Sequence, residues 1–335
     1  MALVQEPQLA VAQGGLERQF ELHRSELTGY CYRMLGSPFE AEDAVQDTFL
    51  RAWRGFDRFE GRAALRSWLY RIATNVCLDM LRGRSRRAMP MDLTPAVDGP
   101  APLGAPLEPS WWVEPIPDAM ISSPEADPAE VATSRDTVRI AFVRVLQHLP
   151  PRQRAVLILR DVLRWKASEV ADLLDTSTDA VNSTLRRARA ALGSADLPAG
   201  APAAPTVEEQ LLARYIDAFE RLDIDALVGL LREDATVSMP PYLLWLDGRE
   251  AFRRWFPTAL AHCADPRLVP TSANGCPAVA AYQVSGPHGE HLPFAIHVLE
   301  PADGEIAAVH IFLDPALFAT FGLPALLDDP RNQSH

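Results

Sequence analysis

Two proline-rich stretches constrain the fold of this 335-residue chain more than any other feature. Residues 89–118 are rich in proline and acidic side chains, and residues 196–205 consist mainly of proline, alanine and glycine. Proline lacks a backbone N–H and has a fixed φ, so neither stretch can sustain a helix or a sheet. We therefore predict extended linkers here and three folded units around them, because the chain is longer than a usual single domain.

Charge is distributed unevenly among these segments. Residues 16–88 carry 13 arginines against 10 acidic residues, and residues 134–192 carry 11 basic against 6 acidic residues. Residues 89–133 hold 8 acidic residues and no base, whereas residues 193–335 hold 8 basic and 19 acidic residues. The net charge of −12 thus hides two basic units that are separated and followed by acidic segments. This pattern predicts polyanion binding with a built-in competitor.

The cysteines and the hydropathy pattern predict a reduced, cytoplasmic setting. Cys31, Cys77, Cys263 and Cys276 are scattered without a CxxC pair, and no secretory segment precedes them. No apolar run approaches the ~20 residues of a membrane span. The HGEH run at residues 288–291 has loose metal-ligand spacing but lies in a Gly/Pro turn without further ligands nearby. We expect no metal and no cofactor.

Hydrophobic periodicity predicts two helical units followed by an α+β unit. After a loose tail, the pattern is helical from about 16 to 87, with breaks at 36–38 and 59–62, and again from about 130 to 192. The last unit opens with a helix over 208–231 that breaks near Asp223. Period-two alternation then predicts half-buried strands at 235–239, 278–284, 294–300 and 305–313.

Residues 168–192 have the features of a helix-turn-helix. A short amphipathic helix over 168–174 and a tight turn precede a longer helix, which Ser177 can cap through its hydroxyl. At ~100° per residue, one narrow apolar stripe and an opposite polar, basic face result. Two helices with a short turn and a basic outer face favour DNA binding. The apolar stripe consists of Val181, Leu185, Ala188 and Leu192, and the polar face of Asp179, Asn182, Ser183, Arg186 and Arg187.

Two helices in the first unit carry candidate binding faces. The helix over 41–56 turns Asp43, Gln46, Asp47 and Leu50 outward, a mixed stripe that suits a protein partner, although a solvated acidic face is the alternative. The helix over 65–87 combines outward aromatic, Arg and Asn side chains, which single-stranded nucleic acid needs for stacking and phosphate contact. Ordinary boundary aromatics are the alternative there. The outward set is Ser67, Tyr70, Arg71, Thr74, Asn75 and Arg82.

Together, the blocks AEDAVQDTFLRAW, LRSWLYRIATNVCLDMLR, LPPRQRAVLILRDVL and EVADLLDTSTDAVNSTLRRARAAL resemble regions 2 and 4 of bacterial extracytoplasmic-function (ECF) RNA polymerase sigma factors. The third unit, with SMPPYLLWLDGREAFRRWF, resembles the SnoaL-like cone fold that some ECF subgroups carry at the C-terminus, and the linker stretch SWWVEPIPD is similar to theirs. The resemblance implies two all-α sigma modules followed by an α+β SnoaL-like domain. Lys166 stands where the family usually has a small hydroxyl residue, so the cap there is weak or supplied by Ser168.

The resemblance also implies domain bounds. They are a flexible tail at 1–15, region 2 at 16–88, an acidic Pro-rich linker at 89–129, region 4 at 130–193, a second linker at 194–206, the SnoaL-like domain at 207–326 and a tail at 327–335. The implied partners are core RNA polymerase, through its clamp helices, and promoter DNA. The implied activity is promoter-specific initiation without enzymatic catalysis.

The family's functional positions transfer to this sequence as follows. Polymerase binding falls on Asp43, Gln46, Asp47 and Leu50. Recognition of the minus-thirty-five element falls on Thr178, Asp179, Asn182, Ser183, Arg186 and Arg187. The residues implied to melt and hold the minus-ten strand are Phe59, Gly61, Arg62, Arg66, Ser67, Trp68, Tyr70, Arg71, Thr74, Asn75 and Arg82.

Three roles remain open for the third unit. In the first, the unit tunes the sigma modules through an intramolecular contact and replaces a separate anti-sigma factor. In the second, it senses a small molecule. In the third, it is a tethered isomerase- or cyclase-like enzyme. Asp247, His297 and His310 are the possible general bases, with core histidines and a turn carboxylate as the alternatives. The possible pocket comprises these three residues with Tyr215, Phe219, Trp245, Phe256, Phe294 and Phe312.

Overall fold

The computed structural model describes residues 17–59, 64–122, 135–193, 205–260 and 263–327. The chain forms two compact units. We call residues 1–84, 119–131 and 149–194 the helical unit, and residues 85–118, 132–148 and 195–335 the sheet unit. None of the helices in the described ranges is both long enough and apolar enough to cross a membrane.

The first part of the helical unit includes α1 (Arg24–Leu35), α2 (Pro38–Gly55) and α3 (Leu65–Met80). The predicted break at residues 36–38 is present. Gly36 ends α1 at a φ of 76°, and the Ser37 hydroxyl then accepts the Glu40 N–H at 3.4 Å. Pro38 suits the first position of α2 because its missing N–H would have no partner there.

The second part of the helical unit contains α5 (Pro151–Leu157), which continues as a π-helical turn over Ile158–Val162, then α6 (Ala167–Leu173) and α7 (Thr178–Leu192). Ser177 caps α7, as predicted, by accepting the Ala180 N–H at 3.1 Å. At the start of α6 the Glu169 carboxylate accepts the Lys166 N–H at 2.6 Å. The cap thus comes from Glu169 rather than from Ser168.

A six-stranded sheet forms the centre of the sheet unit, in the order β2-β1-β6-β5-β4-β3. Neighbouring strands are antiparallel except β1 and β6, which are parallel. The strands β1, β4, β5 and β6 correspond to the four predicted alternating runs, whereas β2 and β3 were not predicted. The strands are β1 (Leu231–Ser238), β2 (Trp245–Asp247), β3 (Arg267–Ala273), β4 (Cys276–Val284), β5 (His291–Ala302) and β6 (Glu305–Phe312).

Helices α8 (Pro205–Glu220) and α10 (Arg249–Leu260) cover the inner face of this sheet. The predicted helix break occurs at residues 221–223, between α8 and α9 (Ile224–Val228), and α11 (Leu317–Thr320) follows α10. Apolar side chains of α8 and α10 pack with those of the strands in one core. The inner face is the one that carries Val279, Leu299 and Val309 of this core, and the opposite face is the outer face.

The proline-rich stretch belongs to the sheet unit. Residues 89–117 form only single 3₁₀ turns at Pro90–Asp92 and Pro109–Trp111, which confirms that regular structure is not sustained there. The stretch is nevertheless packed, because Met89, Trp112, Val113 and Ile116 are all at most 2% exposed. The sheet unit also includes α4 (Ile140–Gln147).

Candidate nucleic-acid interface

Helix α7 presents a polar face to solvent. Val181, Leu185 and Ala188 are buried, which fixes the orientation of the helix, while Leu192 is half-buried at its end. The predicted residues on the opposite side are all accessible: Thr178, Asp179, Asn182, Arg186 and Arg187 are exposed, and Ser183 is half-buried.

The arginines of α7 differ in their partners. Arg189 makes two hydrogen bonds to Asp161, at 2.8 and 2.6 Å. Arg187 donates to the Thr184 hydroxyl at 3.3 Å, and among the described residues neither Arg186 nor Arg187 has an acidic partner. Two guanidinium groups on this face therefore remain available for an external anion, and guanidinium groups suit both base edges and phosphates.

The outward face of α2 matches the predicted protein-binding stripe. Asp43, Gln46 and Leu50 are exposed, and Leu50 is 56% exposed despite being apolar. Asp47 is half-buried and pairs with Arg51 at 2.8 Å. The stripe thus combines carboxylates with an uncovered leucine, as a protein interface does.

Two residues predicted to point outward from α3 are buried, so the predicted outward stripe is wrong at these positions. Tyr70 and Thr74 are both 0% exposed. Thr74 donates to the Tyr70 carbonyl at 2.7 Å, and its hydroxyl lies 2.8 Å from that of Tyr30 in α1. Helix α3 packs against α1 and α2 and also against α5 and α6, so more than one side of it is covered.

Residues of the region 4 segment cover part of α3. The rings of Tyr70 and Trp165 are 5.0 Å apart, and the Arg66 guanidinium lies 5.2 Å from the first ring and 5.6 Å from the second. Arg71 donates to the Asp172 carbonyl at 2.5 Å. Three predicted minus-ten residues, Arg66, Tyr70 and Arg71, are therefore engaged within the helical unit.

Most of the predicted minus-ten residues in the described ranges, including the engaged Arg66 and Arg71, are at least partly accessible to solvent. Arg66, Arg71, Asn75 and Arg82 are exposed, while Phe59, Ser67 and Trp68 are half-buried. The Phe59 and Trp68 rings lie 4.9 Å apart and form an aromatic surface at the start of α3. Gly61 and Arg62 lie outside the described residues.

The predicted pocket residues do not share one face of the sheet. His297 lies opposite Ile311, and Val298 lies opposite His310, so the two histidines point to opposite faces. Phe312 follows His310 two residues later and shares the outer face with it, and Trp245 lies opposite Ser238, which pairs with His310. The pocket prediction is therefore wrong for Trp245, His310 and Phe312, and also for Asp247, which is exposed at the end of β2.

The remaining pocket residues meet on the inner face. The Tyr215 hydroxyl lies 3.0 Å from His297 Nδ1, and Phe219 and Phe256 pack in the same core, with Phe294 against its edge. Burial lowers the pKa of His297 to about 3, so its imidazole is neutral at pH 7. Such a group is a hydrogen-bonding core histidine and a poor general base near neutral pH.

Sequence reasoning missed the polar groups of the outer face. His310 lies 2.8 Å from the Ser238 hydroxyl and 3.6 Å from Glu300, and Glu300 was not among the predicted residues. Asn274 is fully buried and was not singled out either. The Asn-Gly dipeptide at 274–275 was an available signal, because Asn-Gly favours a two-residue hairpin turn.

Three family models match the chain. Sigma-70 region 2 matches residues 19–87, Sigma-70, region 4 matches residues 139–192, and the SnoaL-like domain matches residues 212–309. These matches confirm the predicted fold class, two helical sigma modules followed by an α+β SnoaL-like domain. They also follow the order of the blocks in the sequence.

Similar proteins cover nearly the whole chain. ECF RNA polymerase sigma factor SigG of Mycobacterium tuberculosis is 47% identical over 323 residues, 93% of this chain and 84% of that protein. The probable ECF RNA polymerase sigma factor SigI of the same organism is 26% identical and spans 88% of this chain and 91% of its own length. The crystal structure of the M. tuberculosis extracytoplasmic function sigma factor SigJ has the same fold, with a TM-score of 0.59 at 22% identity over 92% of this chain and 99% of that one. Because the identity to SigG extends through both sigma regions and the SnoaL-like domain, this chain belongs to the ECF RNA polymerase sigma factors.

Proposed function

We propose that this chain binds core RNA polymerase and directs it to a specific set of promoters. The exposed polar face of α7 is the observation that carries the proposal. In the major groove of the minus-thirty-five element, Asp179, Asn182 and Ser183 would read base edges, and Arg186 and Arg187 would read bases or hold phosphates. Each bidentate base contact is worth about 1–3 kcal/mol of discrimination.

The minus-ten element would be held at the start of α3. Extruding a base costs a few kcal/mol, so stacking and guanidinium contacts must offset it. Phe59 and Trp68 offer the stacking surface, and Arg66 and Arg71 offer the cations. No nucleotide hydrolysis is required, because binding itself drives the opening of the strands.

Binding both elements requires the helical unit to open. The names of the elements put them about 25 base pairs apart, which is about 85 Å of B-DNA at about 3.4 Å per base pair. In contrast, Tyr70 of α3 and Trp165, just before α6, are in ring contact at 5.0 Å. We infer that α6 leaves α3 when the promoter binds, and that this frees Arg66 and Arg71 for DNA.

The polymerase contact would use α2, with Asp43, Gln46, Asp47 and Leu50 against the clamp helices. Leu50 supports this assignment, because an apolar side chain that is 56% exposed suits a partner surface. We further propose that the SnoaL-like domain modulates the sigma modules in place of a separate anti-sigma factor, and that the protein acts in the cytoplasm, where the polymerase is.

Run-off transcription with core polymerase over a promoter library tests the proposal. Arg186→Ala and Arg187→Ala should each lower specific initiation by about tenfold, the equivalent of about 1.4 kcal/mol. Arg189→Ala is the matched control on the same helix, because its guanidinium already pairs with Asp161. Equal losses in all three variants, or no specific initiation by the unaltered chain, would contradict the proposal.

A second candidate role is small-molecule sensing. The Tyr215 and His297 pair supports it, because two hydrogen-bonded polar groups inside an apolar core can orient a ligand. The low pKa of His297 favours sensing over the isomerase- or cyclase-like alternative. Ligand-induced stabilisation of the full chain that disappears in His297→Phe would favour this role, and stabilisation retained in that variant would exclude this pair.

A further inference from the structure

We propose that the outer face of the SnoaL-like domain is a docking surface for residues 135–148 of the same chain, the segment that leads region 4. A second part of the proposal, which we call the regulatory part, is that docking at this surface is the contact through which the C-terminal domain modulates the sigma modules. This part rests on the proposed function. The match to region 4 begins at residue 139, yet residues 132–148 belong to the sheet unit. The region 4 block is therefore divided, with its first helix α4 packed in the sheet unit.

Asn274, in the turn between β3 and β4, connects two parts of the chain. Its N–H donates to the Ile116 carbonyl at 3.0 Å, and its side-chain oxygen accepts the Ile116 N–H at 3.0 Å. Its side-chain nitrogen donates to the Val138 carbonyl at 2.6 Å. One buried amide thus holds the end of the proline-rich stretch and the segment before α4 together.

Gly275 allows this segment to approach the turn. Its φ is +69°, and an added Cβ would lie 2.9 Å from both Cα and the carbonyl oxygen of Arg135. Its N–H donates to Asp118 at 2.7 Å. Any side chain at position 275 would therefore push the backbone of the segment away.

Charged groups complete the contact. Glu300 accepts the Ala141 N–H at 3.3 Å, and Glu208 lies 3.8 Å from Arg135. Although burial acts to raise it, the neighbouring His310 and the Ala141 N–H hold the pKa of Glu300 below its ordinary value. Acidic groups of the C-terminal domain thus face a basic segment, and Ile140, Val143 and Leu146 on the apolar side of α4 are buried.

The contact includes polar atoms that are not satisfied. Within the part of the chain that the structure describes, buried Glu300 Oε2, His310 Nε2 and Arg139 Nε make no hydrogen bond, and the last two have only long ion-pair contacts, to Glu300 at 3.6 Å and Asp136 at 3.5 Å. Buried unsatisfied polar atoms lower the stability of the contact that contains them. This interface is therefore suited to being made and broken, unlike the apolar core on the inner face of the same sheet.

The geometry assigns a consequence to release. When the segment is docked, α4 is part of the sheet unit and its Ala141 N–H donates to Glu300 on the outer face. When it is released, the apolar side of α4 needs new cover, which helices from residues 149–192 of the same family match would supply. Docking of residues 135–148 would thus set how much of region 4 is assembled for the promoter.

Two glycine variants of the full chain separate docking from turn strain. Gly275→Ala and Gly304→Ala both place a Cβ at a left-handed backbone position, with φ of +69° and +84°, but nothing lies within 4 Å of a Cβ at Gly304. Hydrogen exchange followed by mass spectrometry should show the amides of α4 exchanging about tenfold faster in Gly275→Ala and unchanged in Gly304→Ala. Exchange in β5 reports in both variants whether the sheet is still folded.

An isosteric pair guards against misfolding of Gly275→Ala. Asn274→Asp keeps the acceptor for Ile116 but replaces the donor to Val138 with a carboxylate oxygen, and aspartate tolerates its φ of 56°. Asp303→Asn is the reverse change in the exposed turn between β5 and β6, where φ is 54°. Faster exchange of α4 in Asn274→Asp alone supports docking, and equal protection of α4 in all four variants overturns it.

Run-off transcription with the same full-length variants tests the regulatory part. Gly275→Ala and Asn274→Asp should shift the initiation rate in the same direction by at least about threefold, and the two control variants should match the unaltered chain. Faster α4 exchange with unchanged initiation would overturn the regulatory part. Absence of initiation by the unaltered chain would overturn the proposed function and the regulatory part with it, while the exchange result still decides docking.

Discussion

Replacing Thr74 with valine should destabilise α3, because its hydroxyl belongs to a buried hydrogen-bond chain and not to a DNA-binding face. Thr74 donates its only hydroxyl hydrogen to the Tyr70 carbonyl. The Tyr30 hydroxyl must then be the donor in the 2.8 Å contact between Tyr30 and Thr74. Valine has nearly the same shape as threonine, so the change removes the acceptor without opening a cavity.

The expected magnitudes follow from which group loses its partner. In Thr74→Val the Tyr30 hydroxyl, at a residue that is 0% exposed, loses its acceptor, which costs about 1–3 kcal/mol. In Tyr30→Phe the Thr74 hydroxyl keeps the Tyr70 carbonyl, so only the net value of one hydrogen bond is lost, about 0.5–1.5 kcal/mol. In the double variant no hydroxyl is left unsatisfied, and its cost should be smaller than the sum of the two single changes.

Native-state hydrogen exchange of the amides in α3 measures these free energies within the full chain, because local opening is read without assuming a single unfolding transition. Thr74→Val should accelerate exchange by about 5-fold to 150-fold, and more than Tyr30→Phe. Unchanged exchange in Thr74→Val combined with weaker opening of the minus-ten element would refute the argument, because Thr74 would then be a DNA contact. Additive costs in the double variant would refute the proposed donor order.

Three further outcomes are expected. The folded protein keeps His297 neutral down to a pH of about 3, whereas the unfolded chain takes up a proton on this imidazole near pH 6.5, so the free energy of unfolding should fall as the pH drops between these values. In urea unfolding, His297→Phe should lose about 3 kcal/mol less stability than the unaltered chain between pH 7 and pH 4. Leu50→Glu should weaken binding to core polymerase by at least about tenfold in a titration, whereas Leu22→Glu, at a leucine that is 76% exposed, should not. Arg87→Ala removes a side chain that donates to two carbonyls and lies 3.6 Å from the buried carboxylate of Glu114. Amide hydrogen exchange over residues 109–114 should therefore rise by at least a hundredfold. A rise below threefold would show that Arg87 does not hold this stretch.

Local signals predicted the helices well and their surroundings less well. The Ser177 cap and the apolar stripe of α7 follow from residues within one or two turns of each other, so the sequence contains them. Burial of Tyr70 and Thr74 depends on Tyr30 and Trp165, which lie far away in the chain. A helix that is covered on more than one side has no single buried stripe. A prediction that assumes one buried stripe therefore assigns some of the core residues of such a helix to its exposed face.

The pocket prediction failed for a related reason. Alternation within one strand shows which residues share a face, but it does not show how the faces of two strands correspond. His297 and His310 each alternate with apolar neighbours, and the pairing of His297 with Ile311 alone determines that they point to opposite sides. Register depends on bulges as well, such as the shift between Glu300 and Pro301, and a proline within a strand marks a bulge without fixing the register of the pairing.

The proline-rich stretch shows how absence of regular structure differs from absence of packing. Its composition excludes a helix or a sheet ladder, yet its backbone groups still need partners when Trp112 and Ile116 are buried. Those partners come from single residues elsewhere, such as Asn274, whose amide replaces the ladder that a strand would have supplied. Asn274 is one of several such anchors, because Val97 and Leu107 donate to carbonyls of the sheet unit and Ala101 accepts the Trp255 side-chain N–H. The Asn274 side chain also holds Val138 before α4, so loss of the Asn274 amide should loosen the stretch at Ile116 and the segment at Val138 together.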